Sequence, residues 1–595
     1  MDTFSSFQWS SYTNTIGGYS LESTEKKVIY PSVDRPWMKH HTERAQGLEL
    51  PKGTMFDLIY ANNKDYPNDI ALEYMDVKIT YGELWQHIED VSKSLAALGV
   101  KVGEIVTIAM PNTPEFVYLA YALNRIGAVM NIIHPLPSEE ELHGYLKEAD
   151  SRFFFMFDGT YDLIKGSLDK TPVQKAIVAS PAQSLNKLKR TLYKIAKFPK
   201  LNPENTISWE EFIKNGAGAN SRYVDKDPNT MAVISHTGGT TGEPKGVMLT
   251  DVAMNSVGYQ VWKTFPMGEL RQRVMMIVLP PFVNYSFCNG IHEGLIMGDK
   301  IALLPEYKPE DFADYYKQFK PNYINSIPQY CLAMLTDEKL KDMDLSELKY
   351  VAAGGEAMDA TAEKELNDFL VAHGADMKIS KGYGCTEFTS VVSYTYPEVN
   401  FLHSVGVPFP YVNVQIVDTE TGEELPCGER GEICVTGPSL MLGYYKNQEA
   451  TDDIIKVHKD GQRWLHMGDL GFVDEDGVLF ITGRIKRIIM TKGSDGNVTK
   501  MFPDRIENAI NKCDEVNASC VIGVKDEERI HYPKAYIELK DNAIDKEVAR
   551  ENILAICRRK LPDYQVPTEI EFMPELPRTE RGKVDFKALD VDADL

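Results

Sequence analysis

The sequence predicts an α/β protein: a large N-terminal domain of doubly wound αβ subdomains plus a β-barrel-like subdomain, followed by a small α+β C-terminal domain. Three observations carry that prediction. The chain has 595 residues, more than one hydrophobic core organises. Short apolar runs alternate with helix-like stretches through its first two thirds. The texture changes near Gln415 to short strands between Gly-rich turns, and changes again after Arg484.

The alternation starts at Tyr81-Gly-Glu-Leu84, which opens a helical stretch through Leu95. Ile105-Val-Thr-Ile-Ala-Met110 is a short apolar run bounded by Gly103 and Pro111, so it reads as a buried strand. Pro114 to Ile126 reads as a helix and Ala128 to Ile133 as the next strand. Strand–helix–strand at this spacing predicts a parallel sheet covered by helices. The pattern recurs at Met275–Leu279, Lys300–Leu304 and Tyr350–Ala353, each ahead of a helical stretch. Val414–Val417, Gly431–Val435 and Gly477–Ile481 then read as strands of an antiparallel or barrel-like unit. The tail mixes a helix over Pro503–Lys512 with strands over Ala518–Val524 and Ala535–Leu539, enough for a separate domain. The expected divisions are a polar, irregular extension over 1–50, a main domain over 51–485 and a C-terminal domain over 486–595.

Composition narrows the function. Lysine and arginine number 64 against 87 acidic residues, a net charge of −23. Such a surface repels phosphate backbones, so no nucleic-acid partner is expected. The eight cysteines are scattered, with no C-x-x-C pair and no Cys/His cluster at zinc spacing. That pattern predicts a reducing, cytoplasmic setting without a disulfide scaffold or structural metal. The N-terminus lacks a basic start followed by an apolar run, so no signal peptide is expected. The most apolar stretch, Phe116–Ile133, is interrupted by Asn124 and Arg125 and reads as a buried helix and strand. From Leu185 to Lys200, Leu185, Leu188, Leu192 and Ile195 share one helical face among six basic residues. The expectation is a surface helix packed on the main domain; the alternative is a peripheral contact with an anionic membrane.

The chemistry concentrates in Thr237-Gly-Gly-Thr-Thr-Gly-Glu-Pro-Lys-Gly246, which follows the apolar run Met231–Ile234. Glycines let backbone amides approach an anion, threonine hydroxyls add donors, and Lys245 adds positive charge. The common nucleotide loop G-x-x-x-x-G-K-S/T does not fit, because Lys245 follows Pro244 and precedes Gly246. Further along come Gly354-Gly-Glu-Ala357, Gly382-Tyr-Gly-Cys-Thr-Glu387, Trp464-Leu-His-Met-Gly-Asp-Leu-Gly471, Gly483-Arg-Ile-Lys-Arg487 and Pro577-Arg-Thr-Glu-Arg-Gly-Lys-Val584.

Together, in this order, these segments resemble the signatures of the adenylate-forming superfamily of acyl-CoA synthetases, adenylation domains and luciferases. The glycine at position 238 is most like fatty-acid–CoA ligases. The resemblance runs from about Thr80 to Phe586 and implies an AMP-forming acid–CoA ligase. It implies that Thr237, Gly238, Gly239, Thr240, Thr241, Gly242 and Lys245 hold the β- and γ-phosphates of ATP. Tyr383 and Gly384 would face adenine, with Gly354, Gly355 and Glu356 as the adenine-side turn. Thr386 would donate to the α-phosphate, and Glu387 would hold Mg2+, which favours oxygen ligands. Asp469 would accept from the ribose hydroxyls and Arg484 would stand beside it. Lys486 matches the hinge about which a mobile C-terminal domain turns. Lys583 matches the adenylation lysine, whose ammonium offsets repulsion between a carboxylate and the α-phosphate. The implied small molecules are a hydrophobic, fatty-type carboxylic acid, ATP and CoA. Alternatives are a carrier-protein phosphopantetheine or another acceptor in place of CoA, a luciferase-type oxygenase, and a nucleotide-binding protein without catalysis.

Three positions depart from the pattern. Lys381 stands where relatives often place an amide or carboxylate. Leu279–Phe287, the acyl-side segment, lacks a histidine common in relatives, and Asn284 or Tyr285 falls near its position. Extra residues between Gly493 and Pro503 lengthen the segment that lines the acceptor's path in relatives.

Overall fold

The computed structural model describes residues 28–41, 45, 47–202, 204–237, 244–264, 270–358, 360–493, 497–541, 543–578, 584–586 and 588–589, with Lys486 by its backbone alone. The predicted α/β class holds. Among the described residues, one sheet of eight strands runs in the spatial order Gly443–Tyr444, Gly246–Thr250, Met231–His236, Val129–Ile132, Ile105–Ala109, Phe153–Phe157, Lys175–Ala179, Thr206–Ser208. Its central strands are parallel, and the strands either side of the glycine- and threonine-rich loop are antiparallel.

A second sheet runs Val407–Pro408, Ser393–Tyr394, Ser380–Tyr383, Tyr350–Gly354, Tyr323–Ser326, Val274–Ile277, Lys300–Leu303, Ile70–Tyr74, Val77–Thr80. Its middle is parallel as well. The strand order reverses at Val274–Ile277: the next strand in the chain lies on one side of it and the one after on the other. Ligands of open α/β sheets bind beyond the carboxyl ends of strands at such reversals. The acyl-side segment 279–287 leaves that end.

Helices between the sheets close the core. Pro114–Arg125 is buried along its length, which accounts for its nearly continuous apolar sequence. Tyr81–Leu98 starts on a capping box between Thr80 and Glu83 and stops at Gly99, whose φ of 87° suits a left-handed C-cap.

The antiparallel unit is a sheet of five strands: Asn413–Val417, Gly431–Thr436, Arg463–Val473 and Ile455–Val457, with Leu479–Arg484 added along Arg463–Val473. Residues 28–41, expected to be irregular, instead form two short helical turns against it. Trp37 anchors them with no exposed surface. A side chain at Gly477 would stand 2.2 Å from the Trp37 backbone, so only glycine fits there. The C-terminal domain packs helices Pro503–Ile510 and Lys546–Lys560 on the strands Val516–Asp526, Ile530–Leu539 and Glu569–Met573.

Two local expectations change. The lengthened segment after Gly493 belongs to an antiparallel hairpin, Ile489–Lys492 with Val498–Met501, closed by Gly493 N–H on the Asn497 carbonyl at 2.9 Å. The basic helix, Lys187–Ala196, does not pack its apolar face on the domain. Leu188, Leu192 and Ile195 are 70%, 58% and 79% exposed, and only Leu185, ahead of the helix, touches the core. The polar side is what docks. Lys189 pairs with Asp76 at 3.0 Å, Lys194 with Glu210 at 2.5 Å, and Tyr193 hydrogen-bonds Asp158. At about 100° per residue those anchors occupy the side opposite Leu188, Leu192 and Ile195. No described helix is long and apolar enough to cross a membrane.

Candidate active site

Strand Met231–His236 runs into the glycine- and threonine-rich loop and Gly246–Thr250 runs out, with His236 opposite Gly246. Thr237 and Lys245 close the base: Thr237 N–H donates to the Lys245 carbonyl at 3.0 Å, and Lys245 N–H to Thr237 Oγ1 at 3.1 Å. Gly238, Gly239, Thr240, Thr241 and Gly242 lie outside the described residues.

The Lys245 ammonium sits 5.0 Å from the Tyr444 ring centroid, a cation–π contact. Tyr444 is brought there because Gly443–Tyr444 pairs with Gly246–Thr250. Its hydroxyl donates to Glu387 Oε1 at 2.6 Å. Burial, then the Glu387 charge, raises the Tyr444 phenol above its usual range, so it stays a donor at all ordinary pH. Sequence reasoning missed Tyr444, which has no motif of its own; its place follows from strand register.

Glu387 sits in the 3-10 turn Thr386–Phe388, anchored by buried Phe388. Thr389 ends that turn at φ 65°, a costly backbone for a β-branched residue. Two contacts hold it: Thr389 Oγ1 donates to the Ser439 carbonyl at 2.7 Å, and Asn284 Nδ2 donates to the Thr389 carbonyl. Asn284, expected in the acyl pocket, is thus committed to bracing the Glu387 turn. Tyr285 behaves differently. Its hydroxyl lies 3.4 Å from Asn325 Oδ1, and its ring lies 3.5 Å from where a Gly354 side chain would begin.

Gly354 stands opposite Gly382 in the parallel pair of strands Tyr350–Gly354 and Ser380–Tyr383. Gly355, at φ 85°, turns the chain away from the sheet beside Glu356. Tyr383 ends its strand next to that turn. A Cβ on Gly384 would stand 1.9 Å from the Ser390 carbonyl oxygen, so the chain passes there only as glycine. The Tyr383 hydroxyl donates to Asp469 Oδ2 at 2.8 Å. Arg484 Nε lies 3.0 Å from Asp469 Oδ1, because Asp469 and Arg484 are register partners on adjacent strands. Burial, then Asp469, holds the Tyr383 phenol above its usual range. The five residues Tyr383 to Glu387 therefore join an Asp469–Arg484 cluster to a Glu387–Tyr444–Lys245 cluster at the carboxyl ends of parallel strands.

Comparison with known families decides what this arrangement belongs to. The profile of the AMP-binding enzymes matches residues 59–445, and that of their C-terminal domain matches 505–583. The chain belongs to the AMP-binding enzyme family. It is an adenylate-forming enzyme of the acid–CoA ligase type. A long-chain-fatty-acid–CoA ligase of Bacillus subtilis is 27% identical over 565 residues, 92% of this chain and 96% of that one. A probable 4-coumarate–CoA ligase of Dictyostelium discoideum is 26% identical over 554 residues, again 92% and 96%. The anthranilate CoA ligase AuaEII, solved with anthranoyl-AMP, superimposes with a TM-score of 0.76 at 23% identity, covering 92% of this chain and 98% of its own. ATP-bound MatB from Rhodopseudomonas palustris gives 0.75 at 23% identity, covering 90% and 98%.

Within this AMP-binding enzyme, Lys381 is committed to a buried ion pair. Its buried ammonium donates to both Glu363 oxygens, at 2.9 and 3.1 Å, and to the Phe401 carbonyl at 2.9 Å. All three donors are used. At the domain junction, Arg484 N–H donates to Asp504 Oδ2 at 3.1 Å, and Arg487 pairs with Asp504 and Glu507 at 2.8 and 2.5 Å. The Lys486 side chain and Lys583 lie outside the described residues. The loop that carries Lys583 is pinned at both ends: Arg578 bridges Val584, and Asp585 N–H donates to the Pro577 carbonyl at 2.7 Å.

The donor set suits Mg2+ bound together with nucleotide phosphates. Such an ion takes one or two carboxylates and keeps several waters. Glu387 supplies a half-buried carboxylate beside the loop base, with Thr386 adjacent.

Proposed function

We propose that this enzyme activates a hydrophobic carboxylic acid as its acyl-adenylate and then passes the acyl group to CoA. The junction of the two clusters through Tyr383–Glu387 is the observation that carries the reading. One short segment carries the phosphate-side carboxylate Glu387 and, through the Tyr383 hydroxyl, holds the ribose-side carboxylate Asp469, as a nucleotide laid across strand ends requires.

The proposed roles follow from placement. The loop from Thr237 to Lys245 receives the β- and γ-phosphates. Tyr383 stacks on adenine while its hydroxyl orients Asp469 toward the ribose, with Arg484 alongside. Thr386 donates to the α-phosphate. Glu387, oriented by Tyr444, holds Mg2+, which when bound neutralises phosphate charge. Lys583 bridges the substrate carboxylate and the α-phosphate. The carboxylate oxygen attacks the α-phosphorus, the bond to the bridging oxygen breaks, and pyrophosphate leaves with that electron pair. A thiolate of CoA then attacks the acyl carbon and AMP leaves with the electrons of the C–O bond. One site serves both steps if the C-terminal domain, 486–595, turns about Lys486 against the main domain, 51–485. The hairpin 489–501 would then face the acceptor.

The hydrophobic acid is supported by the largely apolar Leu279–Phe287 segment and by the names of the fatty-acid and coumarate relatives. Eight free cysteines fit a reducing cytoplasm. The helix Lys187–Ala196 fits a reversible contact with an anionic membrane, with Leu188, Leu192 and Ile195 turned outward and basic residues flanking them. Cosedimentation should show binding to vesicles containing phosphatidylserine, weaker binding to neutral phosphatidylcholine, and loss in a Leu188→Ser/Ile195→Ser variant. Equal recovery of both proteins would remove this contact.

ATP–pyrophosphate exchange across short, long, aromatic and steroid acids tests the main reading. Exchange should rise with apolar acids and vanish in Lys583→Ala, while Lys583→Ala still forms thioester from supplied acyl-adenylate and CoA. Exchange without thioester on free CoA, but with thioester on a carrier protein, would move the acceptor. Exchange unchanged in Lys583→Ala would overturn the assignment.

A further inference from the structure

The sequence carries no Cys/His spacing typical of a metal site, with 24 residues from Cys434 to His458 and eight more to His466. The antiparallel sheet brings the three together, each offering a ligand atom within 4.8 Å of the others. Gln415, Cys434 and His466 form one cross-strand row, being successive register partners on three adjacent strands. His458 reaches the row from the turn that joins Ile455–Val457 to Arg463–Val473, closed by His458 N–H on the Gln462 carbonyl at 3.1 Å. Its ring stacks on Trp464 at 5.3 Å and 14°.

The hydrogen bonds fix both imidazole tautomers. His466 Nδ1 lies 2.9 Å from Glu432 Oε2, and an ionised carboxylate only accepts, so Nδ1 bears the proton. His458 Nδ1 lies 2.6 Å from Gln415 Oε1. The Gln415 amide nitrogen is directed to Ser32 Oγ at 3.4 Å, so the oxygen faces His458 and this Nδ1 is protonated too. Each neutral ring therefore presents a bare Nε2, and the two Nε2 atoms face each other at 3.0 Å. Two lone pairs at that distance repel unless a cation lies between them.

We propose that Cys434, His458 and His466 bind a transition-metal ion of the Zn2+ class, at a site separate from the nucleotide cleft. Two imidazole ligands at about 2.0–2.1 Å from a tetrahedral ion stand about 3.3 Å apart, a few tenths from the spacing found. Cys434, whose Sγ lies 3.4 Å from His466 Nδ1 and within 4.8 Å of the other ligand atoms, turns in to add a thiolate, the ligand type that selects Zn2+ over Mg2+ or Ca2+. Water completes four-coordination. Glu432 and Gln415 already occupy the outer positions that orient metal-bound histidines through Nδ1–H. The histidines are half-exposed, so an ion has access from solvent. The cleft is on the other side of the strand: Met467, next to His466, meets Cys385 of the Tyr383–Glu387 segment at 3.7 Å.

Titrating chelator-treated full-length enzyme with Co2+ tests this. One equivalent should give tetrahedral absorption with a thiolate charge-transfer band, displaced by Zn2+. Cys434→Ser should lose the charge-transfer band, and His458→Gln should lose stoichiometric binding while retaining ATP–pyrophosphate exchange. Because Cys434 is buried, Glu432→Gln serves as a second variant; an outer-position change of this kind weakens binding about 10- to 100-fold. Absence of stoichiometric binding, a charge-transfer band that survives Cys434→Ser, or nitrogen-15 spectra showing a proton shared between the two Nε2 atoms in excess Zn2+ would each overturn the proposal.

Discussion

Tyr383→Phe separates the two roles proposed for one side chain, stacking on adenine and orienting Asp469. The ring remains for stacking, and only the hydroxyl that donates to Asp469 Oδ2 at 2.8 Å is removed. A hydrogen bond to a charged group contributes about 1.5–3 kcal/mol. Asp469 keeps Arg484 at 3.0 Å on its other oxygen, but that arginine is 55% exposed and its pull is screened. The loss should fall at the lower end, and at about 1.4 kcal/mol per decade it raises the KM for ATP about tenfold. Tyr383→Ala also removes the stacking, adding about 1–3 kcal/mol. The assay is ATP–pyrophosphate exchange at saturating acid, with thermal melts to confirm that each variant is folded. A double-mutant cycle with Asp469→Asn should show strong coupling, since the hydroxyl acts through that carboxylate. Unchanged KM for ATP in Tyr383→Phe, equal effects of Phe and Ala, or additive cycle energies would refute the reasoning.

Two further predictions concern buried charge. Lys381→Met leaves Glu363 buried without its partner and should cost about 3–5 kcal/mol in denaturant unfolding, whereas Lys381→Met with Glu363→Leu recovers most of it. The KM for ATP of the double variant should match the wild type, because the Lys381 ammonium is fully occupied by Glu363 and the Phe401 carbonyl. Glu115 is buried with one oxygen on Ser184 at 2.6 Å and the other unpartnered, and burial raises its carboxyl to about 7. A raised carboxyl favours the protonated folded state, so its stabilising contribution is present below about pH 4.5 and is lost as pH rises through 7. Glu115→Gln should therefore melt increasingly above the wild type between those limits and stay level above them. A constant difference across that range would contradict the assignment.

Much of the fold was legible because strands buried on both faces read as unbroken apolar runs: Ile105–Ala109, Val129–Ile132 and Val274–Ile277 fall where the pattern puts them. The candidate nucleotide side was legible as motifs, since Tyr383 and Asp469 each sit beside a glycine that the chain path requires and Glu387 follows three residues after Gly384. What remained hidden depends on partners far away in sequence. Periodicity places Leu188, Leu192 and Ile195 on one face, yet it says nothing of whether that face is covered; Asp76, Asp158 and Glu210 decide that. Lys381 looks like a nucleotide-side residue until Glu363, on a helix, takes its ammonium. Tyr444 enters through strand register alone. The segment after Gly493 was read as an inserted loop because Ile-Met-Thr-Lys over 489–492 and Val-Thr-Lys-Met over 498–501 carry no apolar–polar alternation, and the hairpin shows only in the pairing register.

The strand Arg463–Val473 links the candidate nucleotide side to the Cys434–His458–His466 cluster. Along 11 residues it carries Trp464 in the core, His466 in the metal cluster, Met467 against Cys385, and Asp469 against Tyr383 and Arg484. Glu432 spans two of these functions, accepting from His466 Nδ1 through one oxygen and from Gly468 N–H through the other at 3.2 Å. Gly468, at φ 69°, precedes Asp469, so the backbone that aims the ribose-side carboxylate is held by the same residue that would orient a metal ligand. Cation binding at His458 and His466 would lock Glu432 and stiffen the turn into Asp469. The effect should reach ATP binding before it reaches the acyl pocket, and metal-loaded enzyme should show a lower KM for ATP with the KM for the acid unchanged. A change confined to the acid would break that link, because Asn284 of the segment 279–287 braces Thr389, on the far side of Glu387 from Tyr383 and Asp469.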